Sequence, residues 1–142
     1  MNGRVLLPLD GNEHGRRAYE YAAELFPDAT FVLLHVINPA DANVPVDGAI
    51  STFPEGWYEK RQDRAEQVFA GIEELAAEDG IETTQAVELG KPTRKILDVA
   101  AAEQVDHIVM ATHGRQGVSR LLLGSTAETV ARCSDVPVTI AP

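Results

Sequence analysis

Cysteine is almost missing from this chain of 142 residues. Cys133 stands alone, so neither an internal disulfide nor a cysteine metal cluster can form. It reads as a small apolar residue on the last helix. Lysine is scarce as well, with Lys60, Lys91 and Lys95 the complete set. The net charge is −10 and the pI near 4.7. That balance excludes a broad nucleic-acid-binding face, which needs clustered Lys and Arg. No apolar run approaches the ~20 residues that span a bilayer, so no membrane partner is expected. The opening residues MNGRVLLPLDG lack the longer apolar region and small-residue cleavage site of a secretory signal, which makes the cytoplasm the expected location.

Several chemistries are absent too. There is no G-x-x-x-x-G-K-[ST] phosphate loop, no G-x-G-x-x-G fingerprint and no G-x-S-x-G elbow. His14, His35, His107 and His113 are scattered without metal-ligand spacing. His35 and His107 fall in strand-like runs and read as core or strand-end histidines. No nucleophile and base pair is visible, which favours a binding module over an efficient enzyme.

What remains is an ordinary globular composition, 44% apolar and 24% charged, in one domain covering residues 1–142. Apolar runs at 4–9, 30–37 and 107–111 predict strands. A weak polar alternation at 81–89 predicts an edge strand. Val136, Val138 and Ile140 predict a last short strand, with Pro137 again suggesting an edge. Pro8 fits best at the carboxyl end of its strand. Helical spacing predicts a helix through Ala18, Tyr21, Ala22 and Leu25. A long helix is predicted over 57–78, with Ala65, Val68, Phe69, Ile72, Leu75 and Ala76 buried and Arg61 and Arg64 on the outer face. Two more helices are expected, one opening at Pro92 and one after Gly124. Strict β-α alternation implies an open parallel sheet with helices on both faces. Ligands of such sheets bind beyond the carboxyl ends of the strands.

The stretch 107–127 is the longest acid-free run in a chain with 22 acids, and it carries His113, Arg115 and Arg120. Gly114 and Gly117 would let backbone N–H groups approach a ligand closely. Gly124, Ser125 and Thr126 open a helix, whose first N–H groups carry partial positive charge. Together they suit an anion, with phosphate the best candidate. A second reading stands beside this one. Ser125 and Glu128 have capping-box spacing, which explains Ser125 without any ligand.

The same residues resemble the universal stress protein family over essentially the whole chain. Its nucleotide-binding motif, G-2x-G-9x-G-[ST], is matched by Gly114 and by Gly124 with Ser125, while Ala111 replaces the first glycine. VLLPLDGNEHGRRA, LLHV, THGR and CSDVPVTI look like the family as well. The resemblance implies an α/β, Rossmann-like fold with five parallel strands in the order 3-2-1-4-5. It implies that ATP or AMP binds, with Pro8, Leu9, Asp10, Val36, Met110 and Ala111 around adenine and ribose. Phosphates would lie on Thr112, His113, Gly114, Arg115, Gln116 and Gly117, and on Gly124, Ser125, Thr126 and Ala127. Asp10 would bond the ribose or order a magnesium ion. The resemblance further implies a homodimer paired through the C-terminal strand, acting as a stress-response switch on a protein partner of unknown identity. Two alternatives stay open: a slow ATPase using Asp10 or His113, and a scaffold whose site Ala111 closes.

Overall fold

The computed structural model describes residues 3–10, 13–42, 54–112 and 123–142. Five strands and four helices alternate: β1 (Arg4–Pro8), α1 (Glu13–Leu25), β2 (Thr30–Ile37), α2 (Trp57–Asp79), β3 (Thr83–Leu89), α3 (Pro92–Ala102), β4 (His107–Ala111), α4 (Ser125–Cys133) and β5 (Val138–Ala141). A 3₁₀ turn, Pro39–Ala42, follows β2. The sheet order is β3-β2-β1-β4-β5, and every pairing is parallel. The expected topology is therefore present, with β3 and β5 at the edges.

Alternating side chains of the strands feed two apolar layers. Val5, Leu7, Phe31, Leu33 and Val109 pack with α1 and α2, around Phe69 and Tyr19. Leu6, Val32, Leu34, Ile108 and Met110 pack with α3 and α4, around Ile96, Val99 and Val130. β1 and β2 are buried nearly throughout because helices cover both of their faces. Gly80 ends α2 in the left-handed conformation, φ 72°, and its N–H reaches back to the last turn.

Three expectations are corrected. The buried stripe of α1 is Gly15, Ala18, Tyr19 and Ala22, at the i, i+3, i+4, i+7 spacing of a helix face. Tyr21 and Leu25 are 39% and 52% exposed. Tyr19 wins the inward position because its ring meets Phe31 edge-on at 5.8 Å and its hydroxyl donates to Asp79 at 2.7 Å. The last strand begins at Val138 rather than Val136. Ser134 folds the preceding residues into a turn, accepting from the Val136 N–H at 3.0 Å and donating to the Val136 carbonyl at 2.7 Å. Finally, α4 is capped by Gly124 in extended conformation, with no side-chain cap hydrogen bond. Ser125 is the first helical residue, so the expected capping box does not form. Glu128 pairs with Arg132 one turn onward instead.

Candidate functional site

The carboxyl ends of β1, β2 and β4 open into a cavity of about 850 Å³. Its floor is Pro8 and Leu9 at the end of β1, His35, Val36 and Ile37 from β2, and Met110, Ala111 and Thr112 at the end of β4. Its walls are the N-terminal halves of helices, because each crossover helix starts where a strand ends. Pro92 and Ile96 come from α3, Ser125, Thr126 and Ala127 from α4, and Arg61 and Arg64 from α2.

On the α4 side the backbone supplies the polarity. The Gly124 N–H donates to the Thr112 carbonyl at 2.9 Å, which fixes the helix start against the end of β4. The Glu128 N–H makes the first intrahelical bond, to Gly124. Among the described residues, the N–H groups of Ser125, Thr126 and Ala127 have no acceptor, as the geometry of a helix start requires. They line the cavity and give it a partial positive end, worth about 0.3–1 kcal/mol to an anion. With no capping box, neither the Ser125 hydroxyl nor the Glu128 carboxylate is tied back over these groups. Thr112 contributes differently. Its N–H and its hydroxyl both donate to the Ala141 carbonyl, at 3.1 and 2.8 Å, so it fastens β4 to β5 and offers no backbone donor to a ligand.

Ala111 closes β4 in strand conformation, paired with Ala141. Among the described residues the sole non-glycine with positive φ is Gln104. The backbone at 111 therefore does not demand glycine, and the methyl group causes no conformational strain.

Asp10 follows β1 at the cavity edge and is engaged within the protein. The preceding turn is pinned twice: the Leu9 N–H donates to the Leu34 carbonyl at 2.7 Å, and His35 Nδ1–H donates to the Leu9 carbonyl at 2.8 Å. A carbonyl only accepts, so Nδ1 carries the proton. Burial holds the His35 pKa below its usual 6.5, and the positive charges of Arg64 and Arg61 lower it further, against the hydrogen bond to Leu9. The ring is neutral at pH 7, with Nε2 an acceptor.

The structure thus brings Pro8, Leu9, Asp10, Val36, Met110, Ala111, Thr112, Gly124, Ser125, Thr126 and Ala127 around one cavity. His113, Gly114, Arg115, Gln116 and Gly117 lie outside the described residues. Arg61 and Arg64 were expected on the outer face of α2; Arg64 is exposed and Arg61 half-buried, and both line the cavity. Asn38, Asp41, Pro92 and Ile96 also line it and carry no sequence motif. The usable signal was positional: a crossover helix starts above the carboxyl ends of the strands.

The sequence profile of the universal stress protein family matches residues 1–142. The chain belongs to the universal stress protein family. The universal stress protein MJ0531 of Methanocaldococcus jannaschii is 27% identical over 140 residues, covering 96% of this chain and 80% of that protein. The solved structure of MJ0577, a universal stress protein of the same organism, superposes with a TM-score of 0.83 at 26% identity, covering 99% of this chain and 96% of the other. A universal stress protein family member from Arabidopsis thaliana, solved with AMP bound, superposes with a TM-score of 0.68 at 16% identity, covering 97% and 90%. That last likeness is one of fold. This universal stress protein keeps the family's parallel sheet, with its cavity at the strand ends.

Proposed function

We propose that this universal stress protein binds an adenine nucleotide, ATP or AMP, in the cavity between β1, β4 and α4, and acts as a dimeric regulatory switch in the cytoplasm. The observation that carries the reading is the start of α4. Ser125, Thr126 and Ala127 present backbone donors to an open cavity, uncovered by the capping box that their sequence would allow. The apolar lining of Val36, Met110 and Ile96 suits a purine, and Asp10, on the same cavity, would bond the ribose. The Arabidopsis family member with bound AMP lends support by likeness of fold. A magnesium ion fits as part of the nucleotide. Among the described residues no group of three or more His, Cys, Asp or Glu gathers as a metal site, and Mg²⁺ carried on phosphates needs about one or two carboxylates. Asp10 supplies one.

Calorimetric titration of nucleotide-free protein with ATP and with AMP, each with and without magnesium, tests the reading. Saturable heat from either nucleotide is expected. No heat and no thermal shift at about 1 mM, a free energy near −4 kcal/mol, removes it. Ala111→Gly should change nucleotide affinity by no more than about threefold, since the backbone at 111 needs no glycine. A protein that gains binding only as Ala111→Gly is instead a scaffold with a closed site.

A further inference from the structure

Several of the described arginines are engaged within the protein. Arg4 pairs with Glu103 at 3.0 Å, Arg16 with Glu20 at 3.2 Å, Arg132 with Glu128, and Arg17 donates to the Pro142 carbonyl at 2.9 Å. Arg61 is different. Among the described residues no carboxylate pairs with it. Its guanidinium lies over the Trp57 ring, 5.4 Å from the centroid, and it lines the cavity. A guanidinium held over an aromatic ring is partly ordered before it binds, and with no carboxylate partner its N–H donors can still meet an anion. Arg64, one turn on, lines the same wall and is already engaged within the protein. In a chain of net charge −10, a half-buried arginine without a carboxylate partner beside a cavity is a recognition group in search of an anion.

The wall matters as much as the charge. α4 lies on the same side of the sheet as α3, and α2 lies on the opposite side with α1. Arg61 therefore faces the cavity across from the N–H groups of Ser125, Thr126 and Ala127. It stands on the side to which His35 points, since His35 shares its strand face with Phe31 and Leu33. Its charge, with that of Arg64, is felt at the His35 ring. A single phosphate chain on α4 leaves this second positive wall unanswered, whereas a nucleoside phosphorylated at two separate positions answers both. We propose that Arg61 forms a second anion subsite, and that the cavity prefers an adenine nucleotide carrying a ribose phosphate in addition to its 5′-phosphate. This rests on the nucleotide reading above and names the ligand class within it.

The test compares AMP, ATP and adenosine 3′,5′-bisphosphate on nucleotide-free full-length protein, wild type and Arg61→Gln, by calorimetry. Wild type should bind the bisphosphate about tenfold more tightly than AMP, as a charge-assisted guanidinium–phosphate contact allows. Arg61→Gln should bring the bisphosphate to within about twofold of AMP and leave AMP itself nearly unchanged. Fluorescence of Trp57, the sole tryptophan, should change with the bisphosphate more than with AMP as Arg61 is drawn off the ring. Equal affinity of AMP and bisphosphate in the wild type overturns the proposal. So does an Arg61→Gln variant that weakens ATP but not AMP, because the arginine then serves the end of the 5′ chain. Equal weakening of all three ligands overturns it as well. If no adenine nucleotide binds, the underlying reading fails together with it, and the AMP titration alone shows which has failed.

Discussion

His35 and His107 are the residues through which acid should act on this fold. His107 bonds the Thr139 hydroxyl through Nε2 at 2.6 Å and lies against the Phe26 ring, 4.6 Å between centroids. Burial lowers the pKa of both histidines below 6.5, with Arg64 and Arg61 adding to the effect at His35. Above that value each ring is neutral folded or unfolded and contributes nothing to the pH dependence. As pH falls below it, the unfolded chain takes up protons that the folded chain refuses. Stability then drops until pH passes the lowered folded values. Thermal melts from pH 7.5 to 5 should therefore show a smaller acid loss in His35→Gln than in wild type, since Gln can still donate to the Leu9 carbonyl. Equal acid limbs would mean that the His35 ring titrates alike in both states. At the same scale, Tyr19→Phe should cost about 1–2 kcal/mol in urea melts by removing the 2.7 Å bond to Asp79. A cost near zero would show that bond to be dispensable.

At the scale of elements, α2 offers opposite outcomes for one substitution. Gly80 sits at φ 72° with nothing near its missing Cβ, so alanine there meets only backbone strain, about 1–2 kcal/mol. Gly71 lies in the helix interior with equally open surroundings. Alanine there should stabilise by roughly 0.5–1 kcal/mol. Urea melts of Gly80→Ala and Gly71→Ala that moved in the same direction would contradict these assignments. Elements were also what the sequence declared most clearly. The runs around Leu6, Leu33 and Val109 announce buried strands because helices cover both faces and leave no polar alternation. Pro92 and Gly80 mark helix ends by what their backbones allow. In α1 the spacing gives Ala18 and Ala22 but not Gly15, which is too small to stand out in a hydropathy pattern, nor Tyr19, which only its tertiary neighbours distinguish from Tyr21. Half the cavity was legible through the glycine-serine pattern at 124–125 and through resemblance. The α2 wall was not, since only tertiary placement brings Arg61 and the exposed Arg64 beside the cavity. The Ser125 cap was misread because Gly124 takes the extended cap conformation one residue earlier.

For the whole molecule, two surfaces define the account: the cavity and the free edge of β5. Ile108 and Thr112 donate to the carbonyls of Pro137 and Ala141, so by strand alternation Val138 and Ile140 turn their backbone groups outward. Our proposal of a dimer through this edge predicts twice the chain mass by light scattering, and a monomer for Ile140→Pro, which deletes an outward donor. A wild-type monomer at about 10 μM would overturn the dimer proposal. The central claim concerns the cavity, and backbone amide NMR during an AMP titration tests it most directly. The amides of Ser125, Thr126 and Ala127 should shift together with Val36, while Ala29 and Val105 at the opposite ends of the strands stay still. Saturable AMP binding that left those three α4 amides unmoved would contradict the account.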